Sequence, residues 1–396
     1  MACHPRGLVR ASFVLLAPLL LSLACKGIGA SDGGLPELPD ATQASPQLDA
    51  SLPLPWTPGP FRWVATWGPG LTIKDAALDP SGNLYVTGTF LGTVDLDPGP
   101  GEFPSASGTA LNGRAFLTKL SPDGQHLWSR AFDPHLEFAA AAFSPSGTSC
   151  IAGRFTEPNS TIAIDFDPGD GADLRYGIGR AQGFVTCLAA DGSYRFSSIT
   201  DARSFVHNAT AAAFEPGGDL LVSFLDPNTY SNIVRVHPDG SADPLVVPLA
   251  PLTMGLAPLS TGDLLTYGTF IGEADLDPTA GVDRWRTVSW DCSGIPMEGV
   301  VVSRFGADWS YGWTTGLDNA ERPLSAVVDA QGRTYLATLF GNDCRVDGSP
   351  KDGMARRVDL DGTIAWQNRL PAPMPRYETS AVDPRGAIYF AGSFAS

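Results

Sequence analysis

The chain has 396 residues, with 42 Asp and Glu against 26 Lys and Arg and a formal net charge of −16. A negative field of that size repels phosphate backbones and anionic lipid, so nucleic-acid binding is excluded as an expected role. Hydrophobic residues at 43% supply a large core, while Gly 44 and Pro 34 demand many turns without reaching low-complexity composition.

Arg6 and Arg10 precede an apolar run, Ala11 to Leu23, interrupted only by Ser12, Pro18 and Ser22. This is the layout of a secretory signal, and it is too short for a bilayer span of roughly 20 residues. The run ends Leu21-Ser22-Leu23-Ala24-Cys25, which resembles the lipobox of bacterial lipoproteins. That resemblance implies cleavage before Cys25, lipidation of its thiol, and residence at the outer membrane or in the periplasm. Ser22 and Ala24 equally satisfy the small-x-small rule of an ordinary signal peptidase, so free secretion stays open. Residues 26–60 are rich in Pro, Ala, Ser, Asp and Gly without hydrophobic periodicity and read as a disordered tether. The expected organisation is a signal peptide over 1–24, the tether over 25–60 and a folded body over 61–396.

From residue 61 on, one unit recurs: small residues, a turn ending in Gly, then an apolar strand. The turn glycines are Gly82, Gly147, Gly218, Gly262, Gly332 and Gly386, and eight residues later stand Phe90, Phe155, Phe270, Phe340 and Phe394, only the third unit departing with Asp226. A second half-unit follows in the first five copies, as in Ser121-Pro122-Asp123-Gly124 and Ala190-Asp191-Gly192. Asp-Gly between apolar runs is a strong hairpin signal, because Gly accepts the positive φ of a tight reversal. Two hairpins make four antiparallel strands, and their serial repetition predicts an all-β, six-bladed β-propeller rather than a β-sandwich. Small residues at Ala76-Ala77, Ala139–Ala142 and Ala211–Ala213 suit strands converging on an axis. Trp128, Phe196, Trp313 and Trp366 fall in the fourth strand, at the wide rim. Phe61 to Trp67 matches a fourth strand, Trp63 aligning with Trp128, and is expected to close the last blade.

Pro80-Ser81-Gly82-Asn83-Leu84-Tyr85-Val86-Thr87-Gly88 and Val94-Asp95-Leu96-Asp97-Pro98-Gly99 resemble the bacterial beta-propeller repeats of exported, often very large proteins. Asp165-Phe166-Asp167-Pro168-Gly169 and Asp275-Leu276-Asp277-Pro278 match in part. The resemblance implies the fold and no common reaction.

Three sets of residues could carry function. Asp95 and Asp97, Asp165 and Asp167, and Asp275 and Asp277 alternate as ligands of calcium would, and also as Asp residues that cap turns would; Glu102, Asp173 and Asp283 follow. Ten residues before each turn glycine, where the chain enters the innermost strand, stand Thr72, Glu137, Asn208, Leu252, Arg322 and Arg376, with His207, Glu321, Lys74 and Glu378 nearby. These could converge at the channel mouth on a polar ligand, or be ordinary polar loop residues. His126, His135 and His237 read as turn and loop residues. Cys150, Cys187, Cys292 and Cys344 form an even set for an oxidising compartment, with Cys150 to Cys187 and Cys292 to Cys344 the expected bridges.

No sequence motif for zinc, nucleophilic or nucleotide chemistry occurs. The favoured expectation is a non-catalytic, monomeric envelope lipoprotein without a required cofactor, whose propeller binds a protein or glycan. The alternative is an extracytoplasmic lyase or hydrolase acting through His207 with Glu137, Arg322 or Arg376.

Overall fold

The computed structural model describes residues 63–108, 113–155, 163–177, 181–199, 208–225, 231–243, 247–249, 252–287, 298–317, 320–329, 331–340, 352–370, 375–382 and 388–394. The signal segment, Cys25, His207, Cys292 and Cys344 lie outside them. The chain divides into two units, Met1–Thr66 and Trp67–Ser396, and the fold described next is that of the second.

All regular elements among its described residues are strands. Blade one holds β1 (Leu71–Leu78), β2 (Leu84–Phe90), β3 (Thr93–Asp95), β4 (Pro104–Ala106), β5 (Arg114–Leu120) and β6 (His126–Ala131). Blade two holds β7 (Leu136–Phe143), β8 (Ser149–Phe155), β9 (Ala163–Asp165), β10 (Leu174–Tyr176), β11 (Gln182–Leu188) and β12 (Tyr194–Ile199). Blade three holds β13 (Asn208–Phe214), β14 (Leu220–Leu225), β15 (Ser231–Val236) and β16 (Val247–Leu249). Blade four holds β17 (Leu252–Pro258), β18 (Leu264–Ile271), β19 (Glu273–Asp275), β20 (Arg284–Arg286), β21 (Glu298–Phe305) and β22 (Tyr311–Leu317). Blade five holds β23 (Ala320–Val328), β24 (Thr334–Phe340), β25 (Asp352–Val358) and β26 (Ile364–Leu370), and β27 (Pro375–Val382) and β28 (Ile388–Phe394) follow.

Blades one to five are each a four-stranded antiparallel sheet in sequential order, and β27 pairs with β28. In blades one, two and four a two-stranded arm, β3–β4, β9–β10 or β19–β20, is inserted between the second and third strands. The first turn of blade one shows why the repeat motif folds so. Asp79 Oδ1 accepts the N–H groups of Ser81 at 3.0 Å and Asn83 at 2.9 Å, and Gly82 reverses the chain at φ 82°. The equivalent second-half turn of blade four breaks the Asp-Gly expectation: Trp309 stands in the left-handed region at φ 66°.

The core lies between consecutive blades. Tyr85, Leu117 and Trp128 of blade one pack with Ile151, Phe155 and Phe184 of blade two. Cys150, Ala152 and Val185 meet Ala209, Val222 and Phe224 of blade three. Leu221 and Ile233 meet Leu264 and Phe305 of blade four, whose Val300 and Val302 meet Leu336 and Val358 of blade five. Innermost strands adjoin one another, β7 with β13, β13 with β17, and β23 with β27. Serial four-stranded sheets packed face to face through their apolar sides, innermost strand beside innermost strand, make the all-β fold a β-propeller.

The fourth-strand aromatics clasp the neighbouring blade. Trp128 covers Gly192 and donates its indole N–H to Ala190 O at 3.1 Å; Phe196 covers Gly240; Trp313 covers Gly362 and donates to Leu360 O at 3.1 Å. The expected closing strand is absent from the described residues: 63–67 are not in a strand, and β27–β28 is two-stranded there. Trp67 is instead committed to blade one, its indole donating to Leu96 O at 3.2 Å, while the Gly70 carbonyl accepts the Leu91 N–H.

Candidate functional site

The six mouth positions are equivalent in the backbone. Each lies near the start of an innermost strand, and each is paired with the residue seventeen further on: Thr72 with Thr89, Glu137 with Arg154, Asn208 with Leu225, Leu252 with Thr269, Arg322 with Leu339, and Arg376 with Ser393. Just beyond, every innermost strand carries a bulge at the same place, between Ile73 and Asp75, Phe138 and Ala140, Ala209 and Ala211, Thr253 and Gly255, Pro323 and Ser325, and Tyr377 and Thr379. Bulges of this kind re-aim side chains and recur beside binding sites.

The bulge also explains a glycine of the repeat. A Cβ on Gly88, Gly153 or Gly268 would stand 2.0, 1.9 or 2.2 Å from the carbonyl oxygen of Thr72, Glu137 or Leu252. The second strand must therefore lack a side chain where the bulged inner strand leans over it.

At the mouth, Thr72 is exposed. The Glu137 carboxylate is held by Arg154 Nε at 2.8 Å within its own blade. Asn208 buries its Oδ1 without a hydrogen-bond donor. The side chains of Arg322 and Arg376 lie outside the description, as does His207. The expected pairing of His207 with Glu137 therefore falls outside the described residues.

One level further along the same strands, at the residue following the bulge, stand Asp75, Ala140, Ala211, Gly255, Ser325 and Thr379. Asp75 is the single acid of this ring. Its Oδ1 accepts the Ala76 N–H at 2.8 Å, and no ion pair joins it to Lys74 or to any other cation among the described residues. The residue is exposed, and partial desolvation of its carboxylate raises its pKa against the smaller opposing effect of the Ala76 N–H. The space left by Gly255 is filled by the ring of Tyr267, whose Cε1 would lie 1.8 Å from a Cβ there. Desolvation raises the Tyr267 hydroxyl pKa, and the charge of Asp75 raises it further. Asp75 and Tyr267, from blades one and four, thus feel each other. Neither stood out in the sequence; the signal was one acid among small residues at equivalent places.

The Asp-x-Asp segments are turns. Asp95 Oδ1 accepts the N–H groups of Asp97 at 3.0 Å and Phe103 at 2.7 Å, and Asp97 Oδ1 that of Gly99 at 2.7 Å. Asp165 serves Asp167 and Asp173 at 3.0 and 2.9 Å, and Asp167 serves Gly169 at 2.7 Å. Asp275 serves Asp277 and Asp283 at 3.3 and 2.8 Å, and Asp277 serves Thr279 at 2.8 Å. These bonds fix the β-arms, and among the described residues no three His, Cys, Asp or Glu converge as a metal site. The inner oxygens of these acids serve the backbone, as the turn reading expects. Glu102 has an ordinary exposed place on its arm.

Cys150 and Cys187 are bridged, as expected from neighbouring second and third strands, with Cα atoms 4.1 Å apart. The bridge lines a cavity of about 240 Å³ between blades two and three, walled by Phe196 and Phe214. Arg195 spans its rim, donating to Thr148 Oγ1 at 2.9 Å and to Pro238 O at 3.2 Å. His237 and His135 sit in turns, His237 bridging Asp219 and Asp243, each at 3.1 Å, and His135 meeting Asp133 at 2.7 Å, whereas His126 opens β6 and meets Ser129 at 2.8 Å.

No family model matches the chain, and no curated protein matches it. Among solved structures, a protein of unknown function from Bacteroides caccae is similar at a TM-score of 0.44 and 13% identity, over 80% of this chain and 88% of its own. The Neurospora crassa Pan2 WD40 domain is similar at 0.39 and 12%, over 79% and 69%. The gluconolactonase XC5397 from Xanthomonas campestris is similar at 0.34 and 13%, over 82% and 96%.

Proposed function

We propose that the chain is an exported, non-catalytic binding platform, anchored through Cys25 and a tether over 26–60, whose propeller mouth recognises a protein or glycan. One observation carries this reading. The backbone at the mouth repeats one pairing register and one bulge in six copies, blade five adding a second shift between Ala320 and Arg322, whereas the side chains set there are Thr72, Glu137, Asn208, Leu252, Arg322 and Arg376. A constant frame bearing six different chemistries presents an asymmetric surface suited to one particular partner. The Cys150–Cys187 bridge accords with an oxidising compartment.

The test pairs wild-type protein with the double variant Thr72→Lys/Asn208→Lys in capture from envelope extract and on a glycan array. A partner retained by the wild type and lost by the variant supports the reading. Equal retention by both overturns the mouth as the recognition surface, and turnover of a lyase or hydrolase substrate overturns the non-catalytic role. Labelling with radioactive palmitate that is unchanged in Cys25→Ala would remove the anchor.

A further inference from the structure

We propose that the cavity between blades two and three binds a small aromatic carboxylate, its ring beside Phe196 and Phe214 and its carboxylate on Arg195. Glu137 stands near the start of β7, whereas Ser144, which lines the cavity, follows its end. The site therefore lies at the other end of the inner strand from the mouth and does not depend on what the mouth recognises.

The cavity accompanies a change in the clasp between blades. Blades one and four carry Trp128 and Trp313 at this place in the fourth strand, and their indoles donate to Ala190 O and Leu360 O of the next blade. Blade two carries Phe196, a smaller ring without an N–H. The equivalent carbonyl, two residues before the turn glycine Gly240, is Pro238 O, and Arg195 donates to it at 3.2 Å. A smaller side chain in a packed seam leaves space. About 240 Å³ stands among Phe196, Phe214, Leu220, Val236 and the Cys150–Cys187 bridge. Gly218 has nothing within 4 Å of where its Cβ would stand, so blade three leaves that side open.

The chemistry selects the ligand. Arg195 is exposed and lies over the Phe196 ring at 5.9 Å. Its hydrogen bonds go to neutral oxygens, Thr148 Oγ1 at 2.9 Å and Pro238 O, and no carboxylate pairs with it among the described residues. A guanidinium has five N–H donors in a fork that matches a carboxylate, so donors remain for one. The acids nearby already have partners: His237, also in the lining, bonds Asp219 and Asp243, and Arg235 lies 3.9 Å from Asp219. A sugar is poorly served, because the apolar walls would leave its hydroxyls unpaired, and the hydroxyls of Ser144 and Ser146 bond each other at 2.8 Å. An apolar cavity of about 150 Å³ accommodates benzene, so this larger one holds a ring with a short acidic chain.

The full chain should be titrated with 3-phenylpropanoate, and with 3-phenylpropanamide as its uncharged counterpart, while the His237 imidazole shifts are followed by NMR. Arg195→Gln removes the charge at the rim, and Ser146→Phe sets a ring at an exposed turn position of the lining. The expected result is a saturable change at His237 in the wild type, about tenfold weaker in affinity for the amide and in Arg195→Gln, and abolished in Ser146→Phe. Equal affinity for acid and amide would overturn the ligand class, and this comparison needs no variant to fold. An affinity unchanged in Arg195→Gln or retained in Ser146→Phe would place the acid elsewhere and overturn the site, as would the absence of a saturable change in the wild type.

Discussion

Tyr194 donates its phenolic hydrogen to Oδ2 of Asp173, and Tyr311 donates in the same way to Asp283. Each pair ties the fourth strand of an arm-bearing blade to the residue that ends the Asp-x-Asp loop. Burial raises the Tyr194 pKa to about 12, with the bond to Asp173 adding to it. Burial alone would raise Asp173, but hydrogen bonds from Arg175 and Tyr194 reverse this and hold it below the usual carboxylate value. Blade one replaces both partners together: Phe103 takes the place of the acid, His126 that of the tyrosine, and their rings meet at 5.8 Å.

The signs of these shifts set a pH window. A tyrosine whose folded pKa is raised contributes stability that is whole below pH 10 and is lost as pH climbs toward the folded value; a depressed Asp contributes above its unfolded pKa near 3.8 and loses this as pH falls below it. Tyr194→Phe/Tyr311→Phe should therefore flatten the alkaline limb of the stability curve. Because both pairs are half exposed, each should be worth about 1 kcal/mol at neutral pH. Thermal melts at pH 9 and pH 11.5 check this, and parallel losses in wild type and variant would refute it.

Gly153→Ala should destabilise blade two by about 3 kcal/mol, since the new Cβ would stand 1.9 Å from the Glu137 carbonyl oxygen and the bulged strand must move. Gly217→Ala is the control, with nothing within 4 Å of its Cβ; it should change stability by less than about 0.5 kcal/mol. Urea unfolding midpoints compare the two, and similar losses would mean the bulge does not require the glycine.

Most turns were legible because they are written locally, a glycine at fixed spacing and commonly an acid or serine before it, and the copies reinforce one another. The bulge was not, because the residue it skips is Lys74, Ala139, Thr210, Met254, Leu324 or Glu378, with no type in common. Its trace is the glycine across the strand, which reads as a loose propensity until the carbonyl above it is seen. The Tyr194–Asp173 pair was hidden for another reason: its partners belong to different halves of a blade. Thr118 with Ser129, Thr186 with Ser197 and Ser303 with Thr314 form hydroxyl pairs between the third and fourth strands of the three arm-bearing blades. In blade five Arg356 and Gln367 hold that place, at 3.4 Å. The mouth positions share one register on the inner strands, yet the Glu137 carboxylate is held by Arg154, a partner only strand register reveals.

His237 should titrate above the ordinary imidazole value, because it is hydrogen-bonded first to Asp219 and also to Asp243. A raised folded pKa means that this bridge contributes fully below pH 6.5 and weakens as pH rises through the folded value. Imidazole proton shifts followed by NMR should show a lower pKa in Asp219→Asn, and an unchanged midpoint would remove that carboxylate as the cause.

Reduction of the Cys150–Cys187 bridge should lower stability by about 3 to 4 kcal/mol, the chain-entropy value for a separation of 37 residues. Because the cysteines face each other directly across β8 and β11, Cys150→Ala/Cys187→Ala should keep the sheet and lose that stability. A variant as stable as oxidised wild type in urea would show the bridge to be redundant with the strand pairing.

Trp128 tests whether blades are held together by these clasps or merely lie side by side. Its indole is 9% exposed, covers Gly192 and donates to Ala190 O, while Lys119 reaches the same carbonyl at 3.0 Å and lies over the Tyr85 ring at 4.7 Å. Trp128→Phe keeps most of the covered surface and removes one hydrogen bond, so about 1 kcal/mol should be lost. Trp128→Ala opens the seam between blades one and two and should lose about 3 to 4 kcal/mol. Amide exchange gives the sharper readout, because a clasp acts across the seam. Exchange should quicken in the Ala189–Ser193 turn of blade two, which contains no mutated residue, and stay unchanged at the Asp359–Thr363 turn of blade five, which Trp313 covers. Uniform acceleration at both turns would mean that Trp128 supports only the global fold.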